Sequence, residues 1–187
     1  MNRIKIIIEY KMNKNNIEID DTTRFLTTSF PTAKENMDFD EHLLSLVINN
    51  DYPYLFRFYR WQQPGLTYSY NKKLPSDLAF LDHSTRVSGG GVVFHSPNDI
   101  VFSCSGKLLD SYFPKRFKDK IMFVTELIKK ALENLGLNPK IQPHLNQEQN
   151  IQFCLTYYSP YELYVNNHKV LAIAIRKYKE SFIMQGV

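Results

Sequence analysis

The chain has 187 residues, enough for one domain around one sizeable core. Hydrophobic residues make up 43% and charged residues 22%, an ordinary globular balance, and no apolar run approaches the length needed to cross a bilayer. A dispersed net charge of +4 gives no basis for a nucleic-acid partner, and two cysteines, Cys104 and Cys154, exclude a disulfide framework.

Few cysteines imply a reduced setting, so a cytoplasmic protein without a membrane partner is expected. Ile4–Ile8 reads as a short strand, and its apolar run soon meets Glu9 and Lys11, unlike a signal peptide. Residues 22–34 read as irregular, with Pro31 barring a helix. Asn36–Ile48 reads as a helix, with Met37, Leu43, Leu44 and Val47 near helical spacing. Tyr54–Tyr59 and Leu66–Tyr70 read as strands joined through Pro64-Gly65, which predicts a hairpin. A short helix is possible after Pro75 within Leu74–Leu81.

Strand-like Thr85–Val87 and Gly91–His95 flank a glycine triplet, and Ile100–Cys104 is a further strand. The clearest helix follows Pro114 and runs from about Lys115 to Asn134. Its stripe is Phe117, Ile121, Val124, Ile128, Ala131 and Leu135, with Gly136 as the stop. Residues 138–152 read as a loop. Tyr161–Val165 and Lys169–Ile175 read as a hairpin turning at Asn166-Asn167, and Ser181–Met184 begins a last strand. Thirteen Phe and twelve Tyr favour strands throughout. The expected class is α+β: a mainly antiparallel mixed sheet with helices packed on it, in one domain over 1–187.

Gly89-Gly90-Gly91 is the first candidate site. Three adjacent glycines cost entropy, so they serve either a plain turn or a backbone that approaches a ligand closely. No Gly-Lys-Ser/Thr follows, so it is not a P-loop. Arg86 before the triplet and His95 and Asp99 after it suit a pocket for an activated acyl group.

The run Arg86-Val87-Ser88-Gly89-Gly90-Gly91-Val92-Val93-Phe94-His95, then Asp99 and Ser103, resembles the signature loop of the lipoate–protein ligase and octanoyltransferase superfamily. Asn36-Met37-Asp38-Phe39-Asp40-Glu41 resembles the family's first helix. Arg57-Phe58-Tyr59-Arg60-Trp61 with Pro64 resembles its strand and turn. The resemblance implies the biotin/lipoate protein ligase-like catalytic fold, related to class II synthetases. It also implies a site built from Arg86, Ser88, Gly89, Gly90, Gly91, His95 and Ala172, and no metal held by the protein itself.

Lys169 stands where the family carries a lysine, which implies a role in steadying acyl oxygens. Cys154-Leu-Thr-Tyr-Tyr-Ser-Pro-Tyr-Glu-Leu-Tyr-Val165 resembles the cysteine octanoyltransferase branch. There the cysteine is the nucleophile: it takes octanoyl from acyl carrier protein and passes it to a lysine of a lipoyl-domain protein, with no cofactor. A small buried hydrophobe is the alternative for Cys154, and core packing is expected for Cys104.

Two other readings stand beside this one. An ATP-dependent lipoate–protein ligase would use free lipoate or octanoate with ATP and Mg²⁺. A non-catalytic relative would only bind the acyl group. Three departures from the family pattern bear on the choice. Ala172-Ile173-Ala174 replaces Gly-Ser-Ala, Ser69 replaces a common glycine, and Met184-Gln185-Gly186-Val187 replaces Gln-His-Gly-Ser. The resemblance also implies that the C-terminal part of the family's catalytic unit is missing from this chain.

Overall fold

A computed structural model describes residues 23–141 and 161–187. Its centre is a five-stranded sheet ordered β1 (Thr23–Thr27), β2 (Tyr54–Arg60), β6 (Ile100–Lys107), β11 (Ser181–Gly186) and β10 (Ile173–Tyr178). The β1–β2 pair is parallel and the other pairs of this sheet are antiparallel. The α+β class is as expected. The irregular reading of residues 22–34 is corrected: a strand occupies Thr23–Thr27.

Strand alternation explains where the helices go. Tyr54 and Phe56 of β2, Phe102 and Cys104 of β6, and Phe182 and Met184 of β11 form one buried cluster. Helix α2 (Phe117–Asn134) covers it, with Val124 buried and Phe117, Ile121, Ile128 and Leu132 packed alongside. Ala131 and Leu135 from the predicted stripe face solvent, and Leu132 takes the inner position. Gly136 adopts φ +83° just past the helix end, a conformation that favours glycine.

The intervening side chains of the same strands meet helix α1 (Ala33–Ile48). Leu55 packs on Leu43 and Val47, while Tyr59 and Val101 pack with Ala33 and Met37. This helix starts three residues before its expected start at Asn36. Thr32 and Glu35 form a reciprocal capping box at its N-terminus.

Two small sheets complete the fold. One is ordered β4 (Asp82–Arg86), β3 (Gly65–Ser69) and β5 (Val93–His95); the other β7 (Lys140–Ile141), β8 (Leu163–Val165) and β9 (His168–Leu171). The predicted β2–β3 hairpin is therefore corrected: the two strands belong to different sheets, and β3 pairs with β4 and β5. A Cβ on Gly65 would stand 2.8 Å from the Asp82 carbonyl oxygen, so glycine permits that parallel pairing. The β8–β9 hairpin turns where expected, with Asn166 and Asn167 both at positive φ. Its second arm breaks at Ala172, so the predicted Lys169–Ile175 strand is two strands, β9 and β10. A one-turn 3₁₀ segment, Ser76–Leu78, follows Pro75. Among the described residues no helix is long and apolar enough to cross a membrane. The expected strand at Ile4–Ile8 lies outside the described residues.

Candidate active site

Where the large sheet meets the β4–β3–β5 sheet there is a cavity of about 120 Å³. Its size is close to the roughly 150 Å³ of a protein cavity that takes up benzene. Met37, Tyr59, Val93, Val101, Ile173 and Val187 supply most of its apolar wall. Arg86, Gly90, His95 and Ala172 also line it. Those four expected site residues thus converge on one space, although they come from distant parts of the chain.

The glycine loop is held from behind. Arg86 is only 3% exposed. Its Nη1 donates to the Thr67 carbonyl at 2.9 Å, and its Nη2 donates to the carbonyls of Gly89 and Gly91 at 2.8 and 2.7 Å. The guanidinium therefore fixes the loop's shape as well as forming cavity wall. Gly90 adopts φ +96°, which suits glycine in particular. Ser88 does not line the cavity; its hydroxyl is buried and donates to Gln185 Oε1 at 2.6 Å. Gly89 and Gly91 serve as backbone anchors for Arg86. Asp99 accepts from the Ser96 amide in a turn outside the cavity.

His95 is fixed between two partners. Its ring stacks on Trp61 at 4.0 Å and 17°, and its Nε2 lies 2.9 Å from Thr67 Oγ1. Burial, and then the positive charge of Arg86, hold its pKa down to about 3. The imidazole is therefore neutral at physiological pH.

Beneath the cavity floor runs a buried polar network that sequence reading did not assemble. Asp40 pairs with Arg57 at 2.8 Å, both side chains fully buried. Asp40 also accepts from Ser103, Gln185 and Tyr59. Arg57 further donates to Asn36, Thr28 and the Asn36 carbonyl. Every charge here has partners of good geometry, the condition under which a buried pair is tolerated. Burial, reinforced by Asp40, raises the Tyr59 phenol pKa well above its usual value. Asn36, Asp40 and Arg57 lie within the motifs quoted above. Their joint role is set by long-range pairing that spacing does not reveal.

Lys169 reaches the site through Glu162. Their side chains form a 2.5 Å ion pair, each 5% exposed, and Glu162 lines the cavity. Glu162 went unread as a site residue, although it sits inside the Tyr-Glu-Leu run. Cys154 lies outside the described residues. Cys104 is a fully buried core thiol, and burial raises its pKa, so it is no candidate nucleophile.

The chemistry on offer is an apolar chamber with a few fixed polar groups, suited to a ligand with an apolar body and a small polar head. Among the described residues, Arg86 is the cavity's one cationic lining side chain. It is committed to three carbonyls, and the carboxylate of Glu162 faces the same space.

Comparisons with known proteins agree with this architecture. The family described as "Lipoyl protein ligase A/B catalytic domain" matches residues 32–187. An octanoyltransferase LipM from Carboxydothermus hydrogenoformans is 27% identical over 161 residues, covering 82% of this chain and 60% of the relative. The Bacillus subtilis octanoyltransferase LipM is 24% identical over 180 residues, covering 89% of this chain and 64% of that protein. The chain therefore spans less than two thirds of the length of these curated relatives. A lipoate-protein ligase A solved with ATP superposes with a TM-score of 0.67 at 18% identity, over 88% of this chain and 65% of its own. The Thermoplasma acidophilum protein Ta0514, described as a putative lipoate protein ligase, gives 0.65 at 17% identity, over 88% and 67%. At such identities these two structures establish the fold alone.

Proposed function

Because this chain belongs to the family of lipoyl protein ligase A/B catalytic domains, we propose that it is an acyltransferase of protein lipoylation. It moves an octanoyl group from acyl carrier protein to a lysine of a lipoyl-domain protein. The observation that carries this reading is the convergence of Arg86, Gly90, His95 and Ala172 on one apolar cavity bordered by the Lys169–Glu162 pair. The octanoyltransferase names of the curated relatives support the choice of transfer over ligation. No ATP or Mg²⁺ is needed for this reaction.

In this reading the Cys154 thiolate attacks the carbonyl carbon of the octanoyl thioester on the donor. The new enzyme thioester forms as the donor's thiolate leaves and takes up a proton. The deprotonated ε-amine of the acceptor lysine then attacks the enzyme thioester, the amide forms as the attacking nitrogen gives up a proton to solvent, and the Cys154 thiolate leaves. Charge grows on the acyl oxygen in both steps. The Lys169 ammonium steadies it, held in place by Glu162. The cavity keeps the alkyl chain from water, and the loop clamped by Arg86 gives it a fixed wall.

The test is intact-mass analysis after incubation with octanoyl-acyl carrier protein. Wild type is expected to gain one octanoyl group at Cys154, and Cys154→Ser none. A wild type without the adduct, or an equal adduct on Cys154→Ser, overturns the reading.

A further inference from the structure

Two observations about His95 remain unused by that mechanism. Its Nδ1 is buried and has no hydrogen-bond partner among the described residues, although the ring forms cavity wall and is itself only 5% exposed. Its Nε2 faces a hydroxyl whose hydrogen has one acceptor to reach among the described residues. Thr67 is 2% exposed, and its Oγ1 receives a bond from Arg86 Nη1 at 3.3 Å. Arg86 has no acceptor to offer in return. Among the described residues the remaining partner of Oγ1 is His95 Nε2, at 2.9 Å. Thr67 therefore donates to Nε2, which must be bare, and the neutral ring carries its proton on Nδ1.

We infer that His95 is a fixed, neutral hydrogen-bond donor whose Nδ1–H meets the carbonyl oxygen of the acyl ligand, its tautomer set by the relay Arg86→Thr67→His95. The identity of the ligand as an acyl group rests on the proposed transferase reading. The donor itself rests on geometry alone. A buried donor without an acceptor is costly and calls for an explanation. Here the explanation is a ligand oxygen that arrives only on binding. Stacking on Trp61 holds the ring plane, so the donor cannot swing aside to find another partner. A proton already on Nδ1 also means that His95 accepts none there: it is no general base. It stabilises charge on the carbonyl oxygen while Lys169 acts from the Glu162 side of the cavity.

The test uses the full chain labelled with ¹⁵N-histidine, and octanamide as the probe, a neutral carbonyl on the expected alkyl chain. Proton–nitrogen NMR is expected to show His95 protonated on Nδ1 and bare on Nε2 from pH 5 to 8, with the signal assigned by its loss in His95→Gln. Octanamide should shift Nδ1 and slow exchange of its proton. Thr67→Val removes the relay and should mix the tautomers and weaken octanamide binding ~10-fold, about one hydrogen bond. Thr67→Ser keeps the hydroxyl and should restore both. If Thr67→Val fails to fold, the wild-type tautomer and the Thr67→Ser response still decide.

A wild-type ring protonated on Nε2 overturns the inference. So does absent octanamide binding, or binding that leaves Nδ1 unmoved. These readouts need no thioester chemistry. Failure of Cys154 to acylate with the His95 response intact sinks the transferase reading alone, while an acylated Cys154 with the wrong tautomer sinks this inference alone.

Discussion

Ser88 and Gln185 lie 97 positions apart and share a buried 2.6 Å hydrogen bond, the hydroxyl donating to the amide oxygen. The same amide donates through Nε2 to Asp40 at 2.8 Å. One side chain on β11 thus ties the glycine loop to helix α1, and through Asp40 to Arg57 on β2. The loop is thus tied to this inner network as well as shaped by its glycines.

Cutting that tie gives the first prediction. Gln185→Leu leaves the Ser88 hydroxyl buried without its acceptor and removes one donor from Asp40. The expected loss of stability is about 1–3 kcal/mol. Gln185→Glu should be worse, because it sets a second carboxylate against Asp40 in a fully buried place. Urea midpoints at neutral pH measure both variants. A Gln185→Glu protein as stable as Gln185→Leu would show that the network does not sense charge at this position.

The Lys169–Glu162 pair gives the second. Both side chains are nearly buried, so either partner removed alone leaves the other's charge inside the protein without this counter-ion. Lys169→Met and Glu162→Gln are each expected to cost about 3–5 kcal/mol. Lys169→Met with Glu162→Met together removes both charges and should recover much of that stability, since apolar replacement of a buried pair is often neutral. Cys154 acylation should behave differently: slow in both single variants and still slow in the double. If the double variant regained the rate along with the stability, the pair would be structural only.

Much of the fold can be read from the sequence because the central strands are buried on both faces. β11, from Ser181 to Gly186, is buried at every position, and β6 nearly so. Such segments read as continuous apolar or small-residue runs with strand-forming side chains. The start of α1 is also legible, since Thr32-x-x-Glu35 is a capping box, while Pro31 just before it reads as a helix breaker. β1 was harder: its parallel pairing to β2 depends on the intervening helix.

The β2–β3 error has a related cause. Adjacent strands with a Pro-Gly turn favour a hairpin locally. Gly65 instead brings β3 against the Asp82 backbone, and that choice is tertiary. At the site, the loop motif located Arg86, Gly90 and His95 because the motif is local. The parts played by Asp40, Thr67, Glu162 and Gln185 emerge only through the fold, although three of the four stand inside quoted segments. Each is an ordinary polar residue in sequence, made significant by a partner far along the chain.

The third prediction concerns acid. In the unfolded chain His95 titrates near 6.5, and in the folded protein burial and Arg86 hold it to about 3. Above the unfolded value the ring is neutral in both states and costs nothing. As pH falls below it, the unfolded chain takes up a proton that the folded protein refuses, so stability drops with falling pH. The loss from this one group is about 2 kcal/mol at pH 5, and about 4 kcal/mol by pH 3. His95→Gln keeps an acceptor for the Thr67 hydroxyl and removes the titration. Chemical denaturation at pH 7.5 and pH 5.0 should therefore show wild type losing about 2 kcal/mol more than His95→Gln between those values. Equal losses would mean that the buried ring takes up its proton in place. His95 would then titrate near its ordinary value, and the field of Arg86 would be weaker than the short distances around Thr67 imply.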